Sequence, residues 1–232
     1  MGEGATRPGE AALWKLVPLL NSIVGDVRGT PDVSATSRSV VEAAVSDLAG
    51  AEHASVVVVG EKWPVAASSR LASELDDAQH ALNEGPCVDA LRERAVHTGD
   101  LTRETRWPGF AAFAAGRRIR SAHVVQLFVT GSVRGTLNLY SSQVGSFTAD
   151  EEKHTHLFAS HAAIAIAAAR HKAQMLQAIE MRDTIGMAKG ILMERDDLGP
   201  SEAFQLLVRT SQRSNMRLRT LSSWIVANRR AL

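Results

Sequence analysis

No proline occurs between Pro108 and Pro200, and the second half of that interval constrains the fold more than any other feature of the chain. Proline removes a helical hydrogen bond and clashes with the preceding turn, so its absence leaves a long helix permitted. The helix start is marked at Thr148 and Glu151. In this capping box the hydroxyl accepts from an amide one turn on, while the carboxylate reaches back to the first amide. The first credible stop is Asp196 to Gly199, so one helix is expected over about residues 149–195. An average globular helix has only ~10–14 residues. Leu157, Ile164, His171, Ala178, Ile185 and Leu192 recur every seventh position, with Ser160, Ala167, Gln174, Met181 and Ala188 as the companion row. Such a heptad predicts a coiled coil, most simply a parallel dimer. His171 and Gln174 weaken the seam, so support from a first helix is expected. The alternative is a long helix packed within its own chain.

Ahead of that helix the pattern is mixed. Residues 1–9 read as a loose tail, and Leu13, Leu16, Val17, Leu20, Ile23 and Val24 mark an amphipathic helix to about Val27. Gly29-Thr30-Pro31 is a break, and Val40, Val41, Ala44, Val45 and Leu48 mark a second helix closing at Gly50. Ala54 to Val59 reads as a buried strand that pairs with Trp63 to Ala67. Further strands are expected at Val96–His97, Ala122 to Val129 and Thr136 to Tyr140, the last two joined as a hairpin through Gly131-Ser132. Helices lie between and around these strands without regular strand–helix alternation. An antiparallel sheet flanked by helices, an α+β fold, is the expectation.

Composition supplies limits. Hydrophobic residues at 45% and charged residues at 22% exclude wholesale disorder. The net charge of +1 is unevenly spread: residues 180–232 carry nine Lys/Arg against six Asp/Glu, and residues 203–232 carry six arginines and no acid. One chain end is therefore suited to a polyanion, although a solvated basic helix face is the plainer reading of charge alone. The lone Cys87 excludes an internal disulfide and any cysteine-based zinc knuckle. The apolar run from Leu16 to Val24 is broken by Pro18, Asn21 and Ser22, and the run Phe158 to Ala169 contains His161 and is too short for a bilayer. A cytoplasmic location and no membrane association are expected. The eight histidines show no metal-ligand spacing beyond His154-Thr155-His156, so no metal site is assigned.

Past the long helix, Ala203, Phe204, Leu207, Val208 and Ser211 form one stripe of a second short helix, with Gln205, Arg209 and Arg213 opposite. A third helix is expected to bury Leu218, Leu221, Ser222 and Ile225. The run Ile185-Gly186-Met187-Ala188-Lys189-Gly190-Ile191-Leu192-Met193, followed by Ala203-Phe204, Leu207 and Asn215-Met216-Arg217-Leu218, resembles the ANTAR signature. The match covers roughly residues 176–228. Gly199-Pro200 stands where that family usually has Ser or Thr, and Ser222 where it usually has Ala. The resemblance implies an RNA-binding transcription antiterminator that grips paired stem-loops overlapping a terminator. Arg182, Gly186, Lys189 and Met193 fall on one helix face. Glycines inside a helix cost roughly 1 kcal/mol each relative to alanine, so Gly186 and Gly190 suggest close approach of RNA backbone or of a neighbouring helix. Arg209, Arg213, Arg217 and Arg219 complete the expected RNA-binding set, since guanidinium planes pair phosphates and stack on splayed bases.

Residues 34–170 resemble a GAF domain of the actinobacterial type. The carrying residues are Ala54-Ser55-Val56-Val57-Val58, Ala66-Ala67-Ser68-Ser69, Asn83-Glu84-Gly85-Pro86-Cys87, Asp100-Leu101, Arg106-Trp107-Pro108, Ser121, Gly135 to Tyr140, and Phe147-Thr148. The expected organisation is a tail and helix over 1–33, a GAF sensor over 34–170 and an ANTAR module over 171–232. The resemblance implies a sensor for a small-molecule effector, with the cofactor unspecified. Two residues are candidates for ligand binding. Cys87 follows Gly85-Pro86 at a helix start, where the dipole would lower a thiol pKa, and His123 sits in a strand where it could meet a haem. One GAF subclass reduces free methionine sulfoxide with several cysteines; a single cysteine cannot resolve that chemistry, and no nucleotide-binding glycine loop or nucleophile elbow is present. No enzymatic activity is expected. A dimeric DNA-binding regulator and a protein-interaction module are the rival readings.

Overall fold

A computed structural model describes residues 32–61, 63–131 and 133–229, and the chain divides into two compact units at His171/Lys172. The helix expected over residues 10–27, and its support of a coiled coil, lie outside the described residues. In chain order the first unit contains α1 (Val33–Asp47), β1 (His53–Val58), β2 (Ala66–Ala67), α2 (Arg70–Leu82), α3 (Pro86–Ala90), β3 (Ala95–Thr98), a 3-10 turn (Leu101–Arg103), α4 (Pro108–Gly116), β4 (Ser121–Val129) and β5 (Val133–Ser141). The long helix α5 (Ala149–Asp196) begins in the first unit and continues into the second, which adds α6 (Pro200–Arg213) and α7 (Leu218–Ala227).

All strands pair antiparallel in the order β2-β1-β5-β4-β3. The sheet is buried on both faces. Side chains alternate along a strand, so β4 sends Val125 and Leu127 to one core and Ala122 and Val124 to the other. The first core joins α1 (Val40, Val41, Ala44) to the start of α5 (Phe158, Ala162, Ile166). The second is formed by Leu75 of α2, Phe110 and Ala114 of α4, Trp107 and Tyr140. Two buried faces explain why β1, β4 and β5 read as near-continuous apolar runs rather than strict alternation.

Several boundaries differ from the sequence expectation. The second strand is only Ala66–Ala67, because Pro64 has no amide to give the ladder; Val65 still donates to Val56 at 3.0 Å. The capping box forms, with Thr148 and Glu151 bonded reciprocally, and α5 runs its full expected length. It stops at Asp197, whose φ of 50° is left-handed, and the Leu198 amide returns to Met193. In the second unit Ala188, Leu192, Ala203, Leu207, Leu221 and Ile225 form the core. Phe204, expected in the buried stripe of α6, is instead 44% exposed, because Ala203 and Leu207 set the inward direction and Phe204 stands a step of 100° away.

Candidate nucleic-acid interface and sensor interior

On α5 the core of the second unit is met by Ile185, Ala188 and Leu192, which turns Arg182, Gly186 and Gly190 outward. A Cβ built on either glycine would meet nothing within 4 Å. Neither glycine is therefore required by packing among the described residues, and both leave bare helical backbone facing outward. Lys189 is half-buried at the margin of the core. Met193, expected on the same outer face as Arg182 and Lys189, instead is half-buried against that core: its backbone position stays within about 20° of Arg182, but its long flexible side chain reaches the core margin beside Leu192.

The remaining arginines gather at the α6–α7 corner. Arg209 and Arg213 are one turn apart on α6, Arg217 is the N-cap of α7 and Arg219 lies in its first turn, and all four are exposed. The corner is held tightly. Ser211 Oγ donates to the Met216 carbonyl at 2.5 Å, the Met216 amide returns to Ser211 at 3.1 Å, and Asn215 takes a left-handed φ of 52°. None of the four arginines makes an ion pair among the described residues. Among the described residues Arg182 pairs with Asp183 alone, at 4.0 Å. The two helix starts differ in charge. At α6 the Gly199 amide is taken by Glu202 at 2.9 Å, whereas α7 has no side-chain cap and no acid in its first turn. An uncapped helix start flanked by arginines favours an anion. Trp224, half exposed on α7 and not singled out by the sequence reading, and Phe204, expected inside, add aromatic surface.

The interior of the first unit holds a buried polar network. Asp76 Oδ1 accepts from the Tyr140 hydroxyl at 2.7 Å and from Asn138 Nδ2 at 3.0 Å, and Asn138 also reaches Ser55 at 3.1 Å. Gln79 donates to Tyr140 at 2.8 Å and accepts from the Cys87 amide at 2.8 Å. Burial pushes the Asp76 carboxyl up to about 6, since its hydrogen bonds only partly offset the loss of water. Cys87 does not have the lowered pKa expected of a helix start. It is fully buried, its sulfur lies 3.2 Å from Thr136 Oγ1, and burial followed by the charge of Asp76 pushes the thiol up to about 12. Removal from water outweighs a helix of five residues.

His123 lies on β4 directly opposite His97 of β3. It is 1% exposed, neither ring nitrogen has a hydrogen-bond partner, and burial followed by the neighbouring His97 and His156 lowers it to about 4. His97 Nδ1 stands 3.4 Å from Glu152 Oε1, at the start of α5. Three potential ligand atoms, one each from His97, His123 and Glu152, lie within 4.8 Å of one another. No sequence spacing signals this group, because its members come from two strands and a helix.

A family model described as a GAF domain matches residues 30–167, and one described as an ANTAR domain matches residues 173–226. The chain belongs to the GAF domain family and carries an ANTAR domain behind it. No curated protein matches the chain. Among solved structures, the GAF chain is similar to the free methionine-R-sulfoxide reductase from Neisseria meningitidis at 16% identity and a TM-score of 0.51, covering 74% of this chain and 97% of that one. It is also similar to the Stigmatella aurantiaca phytochrome photosensory core module (9% identity, TM-score 0.56, 87% of this chain and 45% of that one). A third is the GAF domain of an Acinetobacter phosphoenolpyruvate-protein phosphotransferase (16% identity, TM-score 0.51, 68% and 94%). At such identities the likeness extends to the fold. GAF and ANTAR are regulatory domain types, and no helix among the described residues is long and apolar enough to cross a membrane.

Proposed function

We propose that this protein is a cytoplasmic, non-catalytic transcription antitermination regulator. Its ANTAR module binds RNA stem-loops through Arg182, Gly186, Lys189, Gly190, Arg209, Arg213, Arg217 and Arg219, under control of an effector sensed by the GAF domain. The observation that carries this reading is the pairing of two outward-facing helical glycines with four arginines that make no ion pair among the described residues. Bare backbone admits a ribose-phosphate chain closely, and the uncapped start of α7 between Arg217 and Arg219 suits a phosphate. Trp224 and Phe204 offer faces on which unpaired bases can stack. The bound stem-loop would overlap a terminator and prevent its hairpin from closing.

The module acts as a homodimer. Along α5, Leu157, Ile164, Met175 and Ile179 are exposed and fall within about 60° of one another around the helix, an apolar stripe that a second copy in parallel would cover. Light scattering across dilution is expected to give twice the chain mass, and a monomer at tens of micromolar would refute it.

The test of RNA binding compares stem-loops with duplex DNA at matched salt. Log affinity should fall against log salt by about 0.7 per phosphate contact for single-stranded segments. Lys189→Ala and Arg213→Ala should each weaken binding and remove about one contact from that slope, with helix content and mass unchanged. Preference for duplex DNA, or an unchanged slope in both variants, overturns the assignment.

A further inference from the structure

We propose that His97, His123 and Glu152 form a binding site for a divalent first-row transition-metal ion of the zinc class. The donor set is two imidazoles and one carboxylate, which suits zinc or ferrous iron and leaves a fourth position open. His97 and His123 face each other across the β3–β4 ladder, so their rings share one face of the sheet. Glu152 enters from the start of α5, where the capping box at Thr148 and Glu151 fixes the first turn. The three ligand atoms lie within 4.8 Å of one another, and the His97 Nδ1 to Glu152 Oε1 edge is already 3.4 Å. With metal–ligand bonds near 2.0–2.2 Å, a tetrahedral site needs edges of about 3.3 Å. One edge is in place, and the others, at no more than 4.8 Å, would have to close by up to about 1.5 Å on binding.

The decisive feature is His123. Both of its nitrogens are buried without a hydrogen bond, and Nδ1 of His97, although 3.4 Å from Glu152 Oε1, also makes none. Phe147, with its ring centroid 5.8 Å away, accounts for a face of the His123 ring but not for its nitrogens. A buried imidazole without a hydrogen bond bears the cost of a lost bond, which coordination would remove at one of the two His123 nitrogens. Neutral imidazole is also the ligating form. Outside the three-residue group, His156, exposed and one helical turn after Glu152, holds its ring 6.1 Å from that of His123 and is the nearest further imidazole for a fourth position that water could also fill. A bound ion would tie β3 and β4 to the first turn of α5, the helix that continues into the ANTAR domain. The site stands independently of what that domain binds.

The experiment uses the full chain, freed of any affinity tag and stripped with a chelator, then titrated with Zn(II) and Co(II) against a chromophoric competitor and with Fe(II) under anaerobic conditions. One equivalent per chain is expected, with a visible Co(II) ligand-field spectrum and a higher melting temperature in Zn(II). His97→Ala, His123→Ala and Glu152→Gln should each weaken binding by more than about 100-fold, beyond the ~10–100-fold typical of losing a supporting residue. His154→Ala, exposed and outside the group, should bind as the parent does. His97→Ala and Glu152→Gln change partly exposed side chains, so circular dichroism of the metal-free variants should match the parent and separates ligand loss from unfolding. Absence of saturable binding at one equivalent overturns the proposal. Unchanged affinity in His97→Ala and Glu152→Gln overturns it equally.

Discussion

Replacing Asp76 with Asn should make the GAF domain relatively more stable as pH rises, and the size of the change follows from burial. The carboxyl is fully buried, and its pKa rises from the usual 3.8 to about 6. A raised carboxyl pKa means that the folded state binds more protons than the unfolded state between those values. Stability contributed by the protonated acid is therefore present at low pH and is lost as pH climbs through the folded pKa. At 1.36 kcal/mol per unit, the ionised carboxyl costs the fold about 2–3 kcal/mol by neutral pH. Asparagine keeps an oxygen to accept from Tyr140 and Asn138 and carries no charge. Its own fixed cost is independent of pH, so the informative quantity is the difference between variant and parent. That difference should shift in favour of Asp76→Asn by about 2 kcal/mol between pH 4 and pH 7. Urea unfolding can be followed by fluorescence in a chain that keeps Trp107 and carries Phe at Trp14, Trp63 and Trp224, since Trp107 is a buried residue of the same unit whose Nε1 donates to Asp89 at 2.8 Å. Titration of other groups, His123 included, occurs in both proteins and cancels. A difference that stays flat with pH, or moves against the variant, would refute the reasoning.

Other substitutions probe separate links. Leu207→Ala empties a 1% exposed position in a core of six buried residues, so it should cost about 2–5 kcal/mol and lose RNA binding through unfolding, seen as reduced helicity. Retention of parent helicity with loss of binding would move Leu207 from scaffold to contact. Gly135→Ala would drive its methyl into the Val57 carbonyl across the β1–β5 ladder, and should cost at least ~1–3 kcal/mol in urea unfolding. Cys87, buried and pushed up to about 12, should resist thiol reagents at pH 8 until urea unfolds the chain. Prompt stoichiometric labelling of the native protein would contradict that burial.

How much was legible varied with the range of the signal. Thr148, Glu151 and the proline-free run that follows are local, and they located α5 nearly to the residue. The β-branched run around Val56 and the hairpin through Gly131 gave three strands of the sheet with small errors at their ends. Trp63 to Ala67 looked like a full strand because pattern counts side chains, whereas Pro64 lacks the amide on which pairing depends. Phe204 was misplaced inward because hydrophobicity alone does not say which of two adjacent apolar residues faces the core. The charge of the α6–α7 corner could be read directly from six arginines without an acid over residues 203–232.

The sequence by itself therefore determined the elements and the family: caps, heptads, glycine turns and the Ala188-Lys189-Gly190 signature act over a few residues, and their physics is local. Only the tertiary structure decided the chemistry of the interior. Cys87 is a buried, inert thiol because α2 and β5 close over it, and Asp76 meets Tyr140 because a helix crosses a strand 64 positions later in the chain. His97, His123 and Glu152 carry no shared spacing in the sequence. They meet because antiparallel pairing sets the register of two strands and the first turn of α5 packs across them. Long-range contacts of that kind are fixed by burial of two sheet faces at once, which no window of sequence contains.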